Sequence, residues 1–180
     1  AHGYGEGRPN QRTLFTPFWV RLVWLGSPAM NEIDLKGQTA VVTGGARGIG
    51  LAVARRLAAS GAKIALWDRD SGELARAGLE GAHSETVDIT DYAAVEAALK
   101  TTEKALGPVS ILVHSAGIAG PNHPLEAYPL EDWKRVIDID LNGAFHVNRA
   151  LIPGMKARKY GRIVNIASIA GKEGNPMAGA

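Results

Sequence analysis

The sequence predicts an α/β fold, a doubly wound parallel sheet with helices on both faces (three layers, α/β/α). Three observations predict it. Short apolar runs alternate with amphipathic stretches of helical period from Leu35 to Ile166. A glycine-rich stretch, Thr43-Gly44-Gly45-Ala46-Arg47-Gly48-Ile49-Gly50, joins the first apolar run to the first helix. The 180 residues are 46% hydrophobic and 21% charged, which suits one domain with a real core. Strands of a parallel sheet read as continuous apolar runs because helices cover both faces.

Residues 1–29 differ in character from the rest of the chain. Ala1 to Arg12 is glycine-rich and polar without periodicity, and Thr13 to Leu25 is apolar and aromatic, with Trp19 and Trp24. The apolar part is too short to span a bilayer and contains Arg21. Two readings stay open. One is upstream or expression-derived sequence outside the fold, which the cytosolic-looking domain behind it favours. The other is a targeting segment ending in the small residues Gly26-Ser27-Pro28-Ala29. The domain itself is expected over residues 30–180, from Met30.

Leu35-Lys36-Gly37-Gln38 leads into a first strand, Thr39-Ala40-Val41-Val42. The helix after the glycine loop ends at Ser60-Gly61, with Gly61 suited to the left-handed C-cap. Lys63-Ile64-Ala65-Leu66-Trp67 is the second strand, with Asp68 at its end, and a helix comes next over about 72–79. Ser84-Glu85-Thr86-Val87 is the third strand, ending at Asp88. Thr90 or Asp91 can cap a third helix over 92–106, which Gly107-Pro108 stops. Ser110-Ile111-Leu112-Val113 is the fourth strand, running into His114-Ser115-Ala116-Gly117. A loop with Gly120, Pro121, Pro124 and Pro129 precedes one long helix over about 131–156. Arg162-Ile163-Val164-Asn165-Ile166 is the fifth strand, and Ser168 stands just beyond it.

Charge and composition exclude several functions. The net charge is +2, but Arg8, Arg12 and Arg21 against Glu6 supply all of it, leaving residues 30–180 neutral. Nucleic-acid binding therefore gets no support. There is no cysteine, so disulfides and cysteine metal sites are impossible, and the five histidines show no ligand spacing. No metal is expected. A reducing, cytoplasmic setting fits. No Gly-x-Ser-x-Gly elbow supports a serine hydrolase.

A glycine-rich turn between strand and helix is a place to hold a diphosphate. The glycines allow a tight turn and a close approach, and the helix start offers free N–H groups and a positive dipole end. The alternative is a tight turn and nothing more. Asp68, 24 positions after Gly44, stands where an acid accepts the ribose hydroxyls and repels a 2′-phosphate, which favours NAD over NADP. Arg47 and Arg69 are nearby cations that soften the preference. Asp68 capping its own turn is the alternative. Asp88 can meet the adenine edge or cap the next helix. His114 invites a reading as general base, but a hydrogen-bonding residue that fixes its loop fits better. Ser168 suits a substrate-orienting hydroxyl better than a nucleophile, the alternative being a serine that shapes a turn.

With these residues in place, the chain resembles the classical short-chain dehydrogenases/reductases from about Leu35 onward. The resemblance rests on Thr43-Gly44-x-x-x-Gly48-x-Gly50, Asp68, Asp88, Ala116-Gly117, Asp140-Leu141-Asn142-Gly143 and Gly161-Arg162-Ile163-Val164-Asn165-Ile166-Ala167-Ser168. It implies a Rossmann-type fold, an NAD(P) cofactor, and hydride transfer to or from a small alcohol or carbonyl substrate. It implies a homodimer or homotetramer for the full-length enzyme and no membrane. Cofactor contacts are then expected from Gly44, Arg47, Gly48, Ile49 and Gly50. Further contacts are expected from Asp68, Asp88, Ile89, His114, Ala116 and Gly117. Ser168 and Asp140 are the expected catalytic residues. The segment Ile166 to Pro176 resembles members acting on sugar acids and also 3-oxoacyl-acyl carrier protein reductases.

Three departures stand out. The family's Asn-Asn-Ala-Gly is His114-Ser115-Ala116-Gly117 here, and its catalytic Asn in the long helix is Asp140. The family's Tyr-x-x-x-Lys is missing, since the fourth place after Tyr4, Tyr92, Tyr128 and Tyr160 holds Arg8, Glu96, Asp132 and Val164. The expectation is a sheet incomplete at its C-terminal side, a C-terminally truncated gene product. The 180-residue polypeptide is then expected to be poorly soluble and inactive. An apolar stripe on the long helix (Val136, Ile137, Leu141, Phe145, Val147) is expected to lack a partner. A non-catalytic dinucleotide-binding module and a gene fragment without function are the rival readings.

Overall fold

The computed structural model describes residues 33–180. The expected extension, residues 1–29, lies outside the described residues. In chain order the elements are β1 (Thr39–Thr43), α1 (Gly48–Ala59), β2 (Lys63–Asp68), α2 (Ser71–Arg76), β3 (His83–Thr86), α3 (Tyr92–Leu106) and β4 (Ile111–His114). Then come α4 (Leu130–Ile137), α5 (Ala144–Ala157), β5 (Arg162–Asn165) and a one-turn α6 (Ala170–Glu173). The sheet runs β3-β2-β1-β4-β5, and every pairing is parallel. The chain winds outward from β1 to β3, then returns to place β4 against the other side of β1. That reversal opens a crevice at the carboxyl ends of β1 and β4, where open α/β sheets bind ligands.

Side chains alternate across the sheet, so each strand feeds two cores. Ala40, Val42, Ile64, Leu66, Ile111 and Val113 pack with Ala54 of α1 and Leu74 of α2. Val41, Ala65, Trp67 and Leu112 pack the other way, with Val95 and Ala98 of α3 and Val147, Leu151 and Met155 of α5. Trp67 is fully buried, and its indole Nε1–H donates to the buried Thr102 Oγ1 at 3.0 Å. Pairing that N–H removes the penalty of burying it.

Local chemistry sets the element ends. Gly61 has φ +92°, its amide bonds the Ala58 carbonyl, and the Ala62 amide bonds that of Leu57. This is a Schellman C-cap. Asp91, not Thr90, caps α3, accepting from the Ala93 and Ala94 amides at 2.9 and 3.2 Å. The second helix is shorter than its period suggests, because Gly78 takes φ +59° just past Arg76.

The expected single helix over 131–156 is corrected. Between α4 and α5 the path stays helical, but Asp138–Gly143 forms a six-residue π-helical segment. Pro153 lies within α5. The expected unpartnered stripe divides in two: Val136 and Val147 are buried, whereas Leu141 and Phe145 are 61% and 57% exposed. The π segment rotates the register between the two α-helices, so one apolar period does not share one face.

Candidate functional site

The crevice at the β1/β4 reversal is a cleft of about 290 Å³ lined by residues from the glycine loop, the ends of β2 and β3, the loop after β4 and the π segment. Its floor is backbone brought unusually close. A Cβ on Gly44 would lie 3.0 Å from both the Cα and the amide nitrogen of Ala116, and Gly44 has φ +61°. A Cβ on Gly50 would run into the Gly44 carbonyl oxygen. Gly48 differs, with φ +54° and nothing within 4 Å of its would-be Cβ. Gly48 also opens α1, so a helix N-terminus with free N–H groups faces the cleft. No acidic side chain occupies the first turn of α1. Arg47 and Ile49 line the same wall and are exposed, Ile49 to 64%.

Asp68 stands at the end of β2 on the cleft wall. Its Oδ2 accepts from the Ala46 amide at 3.2 Å, and its Oδ1 from the Asp70 amide at 3.1 Å. The acid is thereby tied to the glycine loop, and each oxygen keeps a further lone pair. Asp88 also lines the cleft. Its Oδ1 accepts from the Thr90 amide at 2.9 Å and the Thr90 hydroxyl at 2.8 Å. These bonds, first the amide and then the hydroxyl, hold its pKa below the usual carboxylate value, with help from Arg69. Ile89 is buried beside it, and its carbonyl accepts from His146 Nδ1 at 3.0 Å.

Ala116 and Gly117 line the cleft from the loop after β4. His114 is placed otherwise: it is buried in β4 beneath them, with Nδ1 2.9 Å from Thr43 Oγ1. It does not belong to the cleft wall. Asp140 sits in the π segment, where its Oδ1 accepts from the Ile118 amide at 2.9 Å. The segment thus ties the long helix to the loop after β4. Ser168 lies beyond β5, whose end is fixed beside β4 by the bond from the Ile166 amide to the His114 carbonyl at 2.8 Å. Its Oγ accepts from the Ala170 amide at 3.2 Å and keeps its own proton. Ser168 therefore shapes the turn into α6 and still has a hydrogen to donate.

Sequence reasoning missed several residues of this site. Gly45 is as constrained as its neighbours, since a Cβ there would press on the Val42 carbonyl oxygen at 2.7 Å. Trp67, Val87, Ile118 and Ile139 supply apolar lining. Trp67 was findable, being the last strand residue before Asp68. Ile139 was not, because only the π segment brings it to the cleft. Among the described residues, no group of acidic and histidine side chains could hold a metal ion, and no helix is long and apolar enough to cross a membrane.

The proteins this chain is similar to include dehydrogenases and reductases. The chain is 50% identical over 146 residues to the 2-dehydro-3-deoxy-L-rhamnonate dehydrogenase (NAD(+)) of Sphingomonas sp. (strain SKA58), covering 80% of this chain and 59% of that protein. It is 40% identical over 138 residues to the acetoacetyl-CoA reductase of Paracoccus denitrificans, covering 76% and 57%. A crystal structure of NAD+-bound xylitol dehydrogenase superposes with a TM-score of 0.78 at 38% identity, covering 81% of this chain and 58% of that one. The chain thus spans less than two thirds of the length of these relatives. A family model described as short chain dehydrogenase matches residues 38–180, and the protein accordingly belongs to the short-chain dehydrogenase family.

Proposed function

We propose that this chain is the cofactor-binding part of an NAD-dependent dehydrogenase that oxidises a secondary hydroxyl of a small sugar-derived acid. The observation that carries the cofactor half is Asp68. Its carboxylate lies on the cleft wall, bound to the glycine loop through Ala46. A fixed negative charge there accepts ribose hydroxyls and repels a 2′-phosphate. Gly44, Gly48 and Gly50 fit a diphosphate: the space above Gly48 is open, and the α1 N-terminus offers its amides to an anion. Asp88, Ile89, Ala116 and Gly117 would hold the adenosine side and the cleft floor. NAD held there would supply the hydride acceptor for oxidation of a carbinol carbon.

The remaining roles belong to the chain. Ser168 orients the substrate oxygen with the proton its turn leaves free. Asp140 fixes the loop after β4 through Ile118, and its second oxygen can hold a water of a proton relay. The relative at 50% identity, named for a keto-deoxy sugar acid and NAD(+), supports the substrate half. A second reading, reduction of a 3-oxoacyl thioester, is favoured by the acetoacetyl-CoA reductase at 40% identity and by Arg47 and Arg69 on the same wall. The enzyme is read as a cytoplasmic homodimer or homotetramer.

The test is titration of the gene product with NAD and NADP, and then turnover on sugar acids, simple alcohols and 3-oxoacyl thioesters. Wild type should favour NAD. Asp68→Ser should weaken NAD by about tenfold or more, roughly 1.4 kcal/mol, and strengthen NADP. Equal losses for both cofactors would remove Asp68 from the selecting role, and turnover only with NADPH and an oxoacyl thioester would favour the second reading.

A further inference from the structure

Thr43 Oγ1 meets three groups: the Ser115 amide at 3.1 Å, the Ala116 amide at 3.2 Å and His114 Nδ1 at 2.9 Å. A hydroxyl oxygen has two lone pairs and one proton. The two amides only donate, so they take both lone pairs. The proton goes to His114 Nδ1, which must then be an unprotonated acceptor. A neutral imidazole with a bare Nδ1 carries its proton on Nε2. Both the other tautomer and the imidazolium would place a third donor against an oxygen whose two lone pairs are already used. Burial acts in the same direction, since His114 is 3% exposed and burial disfavours its charged form. His114 Nε2 has no hydrogen-bond partner among the described residues. The proton count makes that atom a buried donor.

We propose that His114 is a positioning residue of the cofactor cleft. As the Nε2–H tautomer it takes the Thr43 proton, and so keeps both Thr43 lone pairs on the Ser115 and Ala116 amides. These two amides belong to the loop that lies against Gly44, where Ala116 backbone atoms stand 3.0 Å from a would-be Cβ. Ser115, Ala116 and Gly44 line one cleft. Without an acceptor at Nδ1, the Thr43 proton has to compete with the amides for the same space. One amide then loses its partner, and the loop lifts from the glycine turn. The effect on affinity rests on the dinucleotide reading; the tautomer does not.

The first measurement is a long-range ¹H–¹⁵N correlation spectrum of the uniformly ¹⁵N-labelled gene product, with the His114 signals assigned by their loss in a variant. A bare Nδ1 and a protonated Nε2 near neutral pH are expected, and a protonated Nδ1 would overturn the proposal. NAD titration comes second. His114→Phe should weaken NAD by about tenfold. His114→Asn should recover most of that loss, because the carboxamide oxygen falls near the place of Nδ1. In a Thr43→Val background, His114→Phe should cost less than about twofold more, since its effect runs through Thr43. Independent, multiplying losses would mean that His114 acts by packing alone. Should wild type bind no NAD, the functional reading fails and amide hydrogen exchange decides this one. Ser115 and Ala116 should be protected in wild type and His114→Asn and exchange faster in His114→Phe. Equal protection in all three would sink the proposal, and the spectrum of the wild type stands even if the Phe variant does not fold.

Discussion

In β1 all five residues are buried and in β2 four of six, whereas in β5 all four are exposed. The difference comes from position. β1 has a strand on each side, and its side chains feed the cores on both faces of the sheet. β5 pairs only with β4, and Ile163 and Val164, 37% and 49% exposed, point to opposite faces of the sheet. The glycine loop and Asp68 are therefore held by contacts that close on themselves. Ser168, the expected substrate-orienting residue, hangs from the least covered strand. The residues expected to meet a cofactor are therefore held far more tightly than the one expected to meet a substrate.

Two glycine substitutions test that contrast most strongly. Gly50→Ala puts a methyl group into the Gly44 carbonyl, which cannot move without opening the turn between β1 and α1. A loss of about 1–3 kcal/mol in stability is expected, with NAD binding abolished. Gly171→Ala places its methyl group in open space within α6, where nothing lies within 4 Å. That change should stabilise the turn slightly, by at most about 1 kcal/mol, through helix propensity. Denaturant melts and NAD titrations of the pair would read the contrast. Comparable losses in both would mean that the two regions are equally constrained.

The same contrast governs what the sequence revealed. The glycine loop, Asp68 at the end of β2 and Gly61 were legible, and the α3 cap was narrowed to Thr90 or Asp91, because their causes are local: a positive φ, a cap, a short apolar run. The third strand came out one residue early, at His83–Thr86, since alternation marks a strand better than its ends. The π segment was not legible. Its bonding shift leaves no mark in an apolar period, and the contacts it carries are tertiary: Asp140 holds the Ile118 amide, and Gly143 lets the helix come close to Ile89, where a Cβ would stand 2.7 Å from Cδ1. The Thr43–His114 pair was half legible: His114 could be read as a loop-fixing residue, but its partner, 71 positions away, could not.

That pair sits where the two regions meet, and pH tests it. Burial lowers the His114 pKa from its ordinary 6.5, so the unfolded chain binds a proton that the native state refuses. Stability should be fully present above about 6.5 and fall as the pH drops toward the native value. His114→Asn should flatten this slope in urea melts taken across mildly acidic pH, and an equal slope in both proteins would assign it to another group. A second loss should begin below about 3.8 in both proteins. There the unfolded chain takes up protons that native Asp88, lowered chiefly by the Thr90 amide, and native Asp70, lowered chiefly by the Glu73 amide, still refuse.

The smallest effect is expected at Phe145, on the open side of the comparison. Its ring is 57% exposed, with the Arg149 guanidinium 5.8 Å from its centroid and the His146 ring at 6.0 Å. Arg149 also lies over the Tyr92 ring at 5.2 Å, so it keeps an aromatic partner when Phe145 is removed. Phe145→Ser in the 180-residue polypeptide should change stability by no more than about 0.5 kcal/mol, as at other exposed positions. Val147, two residues on and fully buried against the sheet, supplies the scale: Val147→Ser should cost several times more, through an uncompensated hydroxyl and a cavity. A Phe145→Ser loss approaching that of Val147→Ser would mean that the ring is covered in solution. The exposed flank of the helix would then have to be treated as buried surface, and the contrast between the two halves of the sheet would shrink to β5 alone.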